Sequence, residues 1–359
     1  MAPSSRKRHC ETIKPKNSKT ASMIYIVIPC YNEQEVLEDT TGKLASLIAT
    51  MEGEQVRILY TDDGSRDSTW ELIGQMHDRY PFVEGVRLAH NVGHQRALWA
   101  GMEAVASRAE AIVSIDADLQ DDIRVIPRMV ADFRRGADIV YGVRRERATD
   151  TAFKRVTALF FYRLMNALGS HLVYNHADFR LLSHRALCAL LSYPERNLFL
   201  RGMVPMLGFN ECREYYDRLE RQAGVSKYPL SRMIALAMDG ITSLSVKPLR
   251  WTGVAGVCSM LVAMGVIVWA LARHCQGHTI AGWTSLLISV WLVGGLLLLA
   301  ICVLGEYIGK VYQEVKRRPR YFIMDSVGRS TDGASPFPSS PEGGGAERMP
   351  GERDACPPR

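Results

Sequence analysis

The chain has no Cys-x-x-Cys pair and no Cys/His ligand spacing, although eight of its 359 residues are cysteine. Free thiols in a reducing compartment are the simple reading of those cysteines. No Gly-x-Gly-x-x-Gly follows the first apolar run, which argues against a dinucleotide-dependent oxidoreductase. Residues 1–22 lack the apolar core of a secretory signal. They carry Arg6, Lys7, Arg8, Lys14, Lys16 and Lys19 and are expected to form a loose basic tail. Charge is also missing from two long stretches, Trp251–Ala272 and Ile280–Leu304.

Each of those stretches has roughly 20 residues or more, enough as a helix to cross a hydrocarbon core of about 30 Å. The link between them, Arg273 to Thr279, is short, so the pair reads as a hairpin that returns the chain to its starting side. Lys247 and Arg250 precede the first stretch, and Lys310, Lys316, Arg317, Arg318 and Arg320 follow the second. This excess of cations over Arg273 places both ends, and the large domain with them, on the cytoplasmic side of the inner membrane. Formal net charge is +6. Beside two spans, such a basic balance points to anionic headgroups rather than nucleic acid. The expected organisation is a basic tail (1–22), a cytoplasmic domain (23–228), a juxtamembrane amphipathic helix (229–250), spans at 251–272 and 280–304, a basic segment (305–324) and a disordered tail (325–359). The Gly, Pro and Ser content of the last segment carries the disorder expectation. The segment 229–244 reads either as a helix lying in the membrane interface or as a core helix. Phe153–Leu168 is a second amphipathic stretch.

Within the large domain, short apolar runs alternate with helical patterns. Strands are expected at 24–28, 57–61, 82–88, 111–115 and 138–141, and helices at 35–51, 68–80, 95–107 and 123–135. That alternation predicts an α/β fold with a mostly parallel sheet covered on both faces. Ligands of such sheets bind at the carboxyl ends of strands, and the chemistry-bearing residues fall there. The first strand runs into Pro29-Cys30-Tyr31-Asn32-Glu33. The second ends in Asp62-Asp63-Gly64-Ser65-x-Asp67, where Ser65 or Asp67 can cap the next helix. Two adjacent carboxylates are not explained by capping, and one of them is expected to accept from a nucleobase N–H. The third strand leads to Asn91-Val92-Gly93-His94, whose histidine either approaches ligand phosphates or caps a helix. The fourth ends in Asp116-Ala117-Asp118-Leu119-Gln120. Its two carboxylates and carboxamide are hard oxygen ligands suited to Mg²⁺ or Mn²⁺ that also holds a diphosphate. After the fifth, Arg144 either faces an anionic ligand or belongs to an exposed basic turn.

Pro29-x-Tyr31-Asn32-Glu33, Asp62-Asp63-Gly64-Ser65, Asn91-x-Gly93 and Asp116-x-Asp118-x-Gln120, in this order at consecutive strand ends, resemble the inverting family 2 glycosyltransferases of the GT-A fold. Ala177-Asp178-Phe179-Arg180, Glu195-Arg196-Asn197, Arg221-x-Ala223-Gly224-x-Ser226-Lys227, Asp239-Gly240 and Leu304-Gly305-Glu306-Tyr307 narrow the resemblance to polyprenyl-phosphate glycosyltransferases. Bactoprenol glucosyltransferases look nearer than dolichyl-phosphate mannose synthases, over roughly residues 23–322.

The resemblance implies a nucleotide pocket lined by Pro29, Tyr31, Glu33 and Asp62. It implies a metal and diphosphate site at Asp116, Ala117, Asp118 and Gln120, and a catalytic carboxylate at Asp178 with Asp118 beside it. Arg144, Arg221 and Lys227 match basic residues at the donor and acceptor phosphates. Cys30 stands where Thr or Ser is more usual, and Ala177 where Gly is common. The implied partners are a sugar nucleotide, a polyprenyl phosphate and membrane lipids. Homo-oligomers rest mostly on the same resemblance, with small residues in the spans (Gly253, Gly256, Gly294, Gly295) permitting close helix packing. UDP-glucose is the first choice of donor, with UDP-linked modified pentoses and GDP-mannose open. A processive polysaccharide synthase would normally carry Gln-x-x-Arg-Trp, and here Lys247-Pro248-Leu249-Arg250-Trp251 lacks the Gln. A membrane-tethered nucleotide sensor would keep the pocket without needing Asp178, Arg221 and Lys227 together.

Overall fold

The computed structural model describes residues 23–145, 176–217, 247–276 and 283–328. Strand β1 (Met23–Cys30) pairs in parallel with β2 (Gln55–Asp62) on one side and β4 (Ala111–Ser114) on the other, and β2 pairs with β3 (Val83–Leu88). The apolar runs lack polar alternation because both sheet faces are covered. Ile24, Ile26 and Ile28 pack beneath α1 (Leu37–Ala49), α2 (Thr69–Arg79) and α4 (Ile126–Arg134). Tyr25 and Val27 point the other way, to the core shared by α3 (His94–Val105), α5 (His184–Leu191) and α6 (Leu200–Met206).

After β5 (Ile139–Arg144) the topology departs from simple alternation. Strand β6 (His176–Ser183) runs antiparallel between β4 and β5, and β7 (Glu211–Tyr216) lies parallel to β5 at the edge. With β8 at Ile323–Val327, the eight-stranded order is β7-β5-β6-β4-β1-β2-β3-β8. The sheet is thus mostly parallel between two helical layers, as the sequence predicts. Helix α3 lies close on the sheet at Gly101. A Cβ there would collide with Thr61 Oγ1 and lie 2.6 Å from Val27 Cγ1.

Two helices, α7 (Lys247–Cys275) and α8 (Trp283–Lys316), are long and apolar enough to cross a membrane. Their side chains, Val254, Val262 and Leu298 among them, are largely exposed. Helix α8 continues without a break from the second apolar stretch through the first part of the basic segment 305–324, to Lys316. The tail was expected to begin at 325, but β8 (Ile323–Val327) pairs antiparallel with β3. A run of only five residues, Ile-Met-Asp-Ser-Val ahead of Gly328, is too short to show this in the sequence. The open edge of β3 supplies the backbone partners, and Ile323 and Val327 add apolar contact to the two faces of the sheet. The amphipathic stretches at 153–168 and 229–244 lie outside the described residues.

Gly101→Val should destabilise the protein by about 1–3 kcal/mol through overpacking of α3 on the sheet. Chemical denaturation of the full chain in neutral detergent reads this, and an unchanged midpoint would show that α3 can lift at no cost.

Candidate functional site

Parallel pairing of Cys30 with Asp62 brings the ends of β1 and β2 side by side. The two turns then lock together. The amide of Asn32 donates to Ser65 Oγ (2.9 Å), that of Arg66 to Asn32 Oδ1 (2.9 Å), and that of Glu33 to Thr69 Oγ1 (3.0 Å). Asn32 takes the left-handed conformation (φ 54°) that asparagine tolerates better than most residues. Pro29 is buried in β1, whereas Tyr31 stands 40% exposed at the rim.

The adjacent carboxylates of Asp62 and Asp63 have different duties. Asp63 accepts the amides of Val92 (2.7 Å) and Gly93 (2.9 Å), so it fixes the turn that starts α3. Asp62 is fully buried and accepts the Ser65 amide through Oδ1 (3.0 Å). Its Oδ2 makes no hydrogen bond and has Arg87 Nε at 3.4 Å. Burial raises the pKa of both. Of the pair, Asp62 alone keeps an acceptor atom for something else.

At the other side of the site, antiparallel β6 does the positioning. Ser114 pairs with Arg180, and two residues further along each strand lie Asp116 and Asp178. His94, the first residue of α3, reaches both: its Nε2 is 3.6 Å from Asp116 Oδ1 and 3.8 Å from Asp178 Oδ2. Residues from three distant parts of the sequence therefore meet at the strand ends. Ala117 follows as a buried link, its carbonyl accepting from Thr40 Oγ1 (2.8 Å).

Asp178 sits between two guanidinium groups. Arg180 Nη2 donates to Oδ1 (2.5 Å), and Arg201 donates to both oxygens, Nε to Oδ1 (3.2 Å) and Nη2 to Oδ2 (2.9 Å). Burial alone would raise the carboxyl pKa, but Arg180 and Arg201 outweigh it and hold the group well below the usual carboxylate range. Arg180 is itself buried, with Nη1 donating to the carbonyl of Leu200 (3.2 Å). Arg144 is anchored in the same way. Its Nε and Nη2 donate to Asp121 Oδ1 (2.9 and 2.8 Å), which also accepts from Tyr216 Oη (2.6 Å). The exposed basic turn that was one reading of Arg144 is therefore not what the structure has.

Asp116 is different. Its Oδ1 is buried and makes no hydrogen bond. Burial raises its pKa to about 6, with Asp178, Asp121 and Asp118 adding to the rise and His94 opposing it. Asp118 stands next to it and is gripped by Gln120, whose amide and Nε2 donate to the carboxylate (3.3 and 2.6 Å). The side chain of Gln120 thus meets Asp118 through its nitrogen. Among the described residues no three His, Cys, Asp or Glu side chains converge tightly enough to hold a metal unaided. Two carboxylates with one unsatisfied buried oxygen suit a cation whose remaining ligands come from a substrate and water.

Of the residues singled out from sequence, Asp116, Asp118, Gln120, Asp178 and Arg144 come together, and Pro29, Tyr31, Glu33 and Asp62 occupy the neighbouring strand ends. Arg221 and Lys227 lie outside the described residues. Arg201 carries no signal in the sequence, since nothing in Leu200-Arg201-Gly202 marks it from a surface arginine. Tyr216 and Asp121 went unnoticed as partners of Arg144 because that contact spans β5, β7 and the loop after β4.

A set of strand-end turns, a paired carboxylate motif and a buried Asp–Arg cluster on a mostly parallel sheet define a nucleotide-sugar transferase type of site. The family model "Glycosyl transferase family 2" matches residues 25–191. An uncharacterised glycosyltransferase of Bacillus subtilis, YkoT, is 50% identical over 84% of this chain and 91% of its own length. A prophage-derived bactoprenol glucosyl transferase of Shigella flexneri is 37% identical over 84% of this chain and 98% of its own length. The solved mannosyl-3-phosphoglycerate synthase of Rubrobacter xylanophilus aligns with a TM-score of 0.45 at 19% identity, covering 65% of this chain and 75% of that one. The chain belongs to glycosyl transferase family 2, and it is an enzyme that transfers a sugar.

The Asp178 cluster has a pH signature with a definite sign. A carboxylate whose folded pKa is depressed stabilises the fold above its unfolded value, and that contribution is lost as pH falls through the folded value. Arg201→Gln removes one of the two cations and raises the folded pKa. The onset of acid destabilisation should therefore move to higher pH, read by intrinsic fluorescence during acid titration. An onset unmoved by the change would mean that Arg180 alone sets the ionisation.

Proposed function

We propose that the enzyme transfers a single sugar, with glucose from UDP-glucose as first choice, to the phosphate of a polyprenyl phosphate at the cytoplasmic face of a membrane. The observation that carries the reading is the clustering of Asp116, Asp118, His94 and the Arg-clamped Asp178 at one rim of the sheet. Relatives named bactoprenol glucosyl transferase, alike over most of the chain, support this acceptor and sugar. The apolar helices α7 and α8 support a membrane-borne substrate.

In this reading Tyr31, Glu33 and Asp62, with Pro29 shaping the turn, receive the nucleotide, and Asp62 Oδ2, which faces Arg87 but makes no hydrogen bond, accepts from the base. Mg²⁺ or Mn²⁺ would be held by Asp116 and Asp118, with Gln120 fixing the orientation of Asp118. Such a cation offsets the negative charge that builds on a departing nucleoside diphosphate. Arg201 and Arg144, with Arg221 and Lys227 from outside the described residues, reduce the repulsion between an incoming phosphate and the donor diphosphate.

The acceptor needs little activation. A phosphate monoester has a second pKa of about 6, so most of it is dianionic at pH 7 and can attack the anomeric carbon directly. Asp178, clamped and held below the ordinary carboxylate range, is a weak base. It positions Arg201 and the sugar hydroxyls, and proton removal is secondary.

Two measurements test this. Membranes containing the full chain are incubated with labelled UDP-glucose, GDP-mannose or a UDP-pentose and polyprenyl phosphate, with and without EDTA, and the lipid phase is extracted. Label from UDP-glucose should enter a monosaccharide lipid and disappear with EDTA; polymer, or synthesis indifferent to EDTA, contradicts the proposal. In Asp178→Asn, donor affinity and turnover should fall together, by less than the roughly hundredfold that loss of a general base costs at minimum. A larger fall in turnover at unchanged donor affinity would make Asp178 the base.

A further inference from the structure

A second concavity lies between the catalytic sheet and the end of α8, with a volume of about 660 Å³. None of Asp116, Asp118, Asp178 or Arg201 lines it. Its walls carry Arg96 from α3, Arg196 from the segment before α6, Lys316 at the end of α8, and Arg318 and Arg320 beyond it. Lys316 rests on the ring of Tyr312, with Nζ 4.1 Å from the centroid.

These cations are poorly compensated. Among the described residues, Arg96, Arg196, Lys316 and Arg318 form no ion pair with a carboxylate. The nearby acid on α8, Glu314, is occupied otherwise: it accepts the backbone amides of Arg196 (2.8 and 2.9 Å) and Asn197 (2.8 Å). Glu103 accepts from Tyr321 Oη (2.7 Å). Arg320 is a fixed wall, donating to the carbonyls of Tyr193 and Glu195 (2.7 Å each) and lying over the Trp99 ring. Burial lowers the Arg320 pKa and the like charge of Arg196 lowers it further, outweighing the opposing pull of Glu103 and Glu314. Cations crowded in a pocket of ligand size are the arrangement that an anion stabilises.

The position of the pocket narrows the occupant. Charge first enters α8 at Glu306, and from there to Lys316 is ten residues of helix, or about 15 Å. The headgroup layer outside the hydrocarbon is only about 5–8 Å thick. A lipid phosphate would have to leave its layer to reach Arg318. The pocket also shares its floor, residues 90–93, with the turn that Asp63 fixes and that presents His94 to Asp116 and Asp178. His94 and Arg96 are two residues apart on α3 and so leave the helix on different sides. One faces the catalytic cluster and the other faces this pocket.

The geometry points to a second anion site, between residues 90–96 and the end of α8, that takes a soluble phosphate-bearing small molecule. It touches the back of the turn that positions His94, which makes it an effector site for the transferase. Only the placement of α8 relative to a membrane rests on the functional reading above; the pocket and its charges do not.

The test uses the full chain in neutral detergent with EDTA present, so that the carboxylates of the catalytic cluster repel rather than hold a polyanion. Inorganic pyrophosphate is titrated calorimetrically. One saturable event is expected, unaffected by Asp116→Asn/Asp118→Asn and weakened at least tenfold by Arg196→Gln/Arg318→Gln. The charge-preserving Arg196→Lys/Arg318→Lys pair should recover most of the affinity, which separates lost charge from lost fold. Absence of saturable binding overturns the proposal. So does binding that follows the aspartate pair instead of the arginine pair. Displacement of pyrophosphate by phosphatidylglycerol in mixed micelles at equal concentration would assign the pocket to a lipid headgroup and overturn the soluble ligand. Sugar transfer is not measured, so this result and the proposed reaction can fail independently.

Discussion

Like charges crowded at one rim of a sheet set the terms for everything else in this protein. Asp116, Asp118, Asp121 and Asp178 all lie close enough for the other three to raise the pKa of Asp116. Three of them are relieved locally: Asp178 by Arg180 and Arg201, Asp121 by Arg144 and Tyr216, and Asp118 by the Gln120 amide. Asp116 has His94 at 3.6 Å, feels Arg180 and Arg201 from further off, and keeps a buried oxygen without a hydrogen bond. It is the carboxylate with no guanidinium or amide in direct contact, and it is where a substrate-borne cation is proposed to sit. Breaking a buried pair by removing one partner typically costs about 3–5 kcal/mol, so the Asp178 clamp is also expected to be a large element of local stability.

That crowding exists because of one topological step. If β6 ran parallel, its carboxyl end would meet the site and Asp178, near its start, would lie at the far edge. Running antiparallel between β4 and β5 brings the beginning of β6 to the end of β4 and sets Asp178 beside Asp116. Ser114 ties the crossing, its Oγ donating to the carbonyl of Asp178 (2.6 Å). Gly142 makes room on the neighbouring strand, where a Cβ would lie 2.7 Å from the Phe179 ring.

The parallel half of the sheet was legible because each strand there is a local apolar run and each chemical motif follows directly on one. Predicted strands and helices fall within a few residues of β1 to β5 and α1 to α4. The two adjacent aspartates after β2 could not be told apart by sequence, since one meets the turn of residues 92–93, about thirty positions away, and the other does not. Arg201 is locally unmarked for the same reason: its role depends on the reversal of β6. Strand β8 was missed because a strand of five residues at a sheet edge derives its stability from the edge it covers and little from its own pattern. Asp178 was reached through family resemblance, and the geometry supplies a physical reason for its chemistry that the motif alone does not contain.

The return of the chain after α8 bears on how such a site would meet a membrane-borne acceptor. An apolar hairpin joined to a soluble domain by one flexible link would leave the distance between bilayer and pocket undetermined. Here α8 is fastened at its far end. Glu314 holds the amides of Arg196 and Asn197, Arg320 lies across Trp99 of α3, and β8 completes the edge of β3. These contacts come from the helix end, the following turn and the strand beyond it, so a tilt of α8 must disturb α3, the segment before α6 and the sheet edge together. The same fastening brings Lys316 and Arg318 to Arg96 and Arg196, and thereby creates the basic pocket. Anchoring the helix and gathering uncompensated charge behind the His94 turn are therefore one structural event.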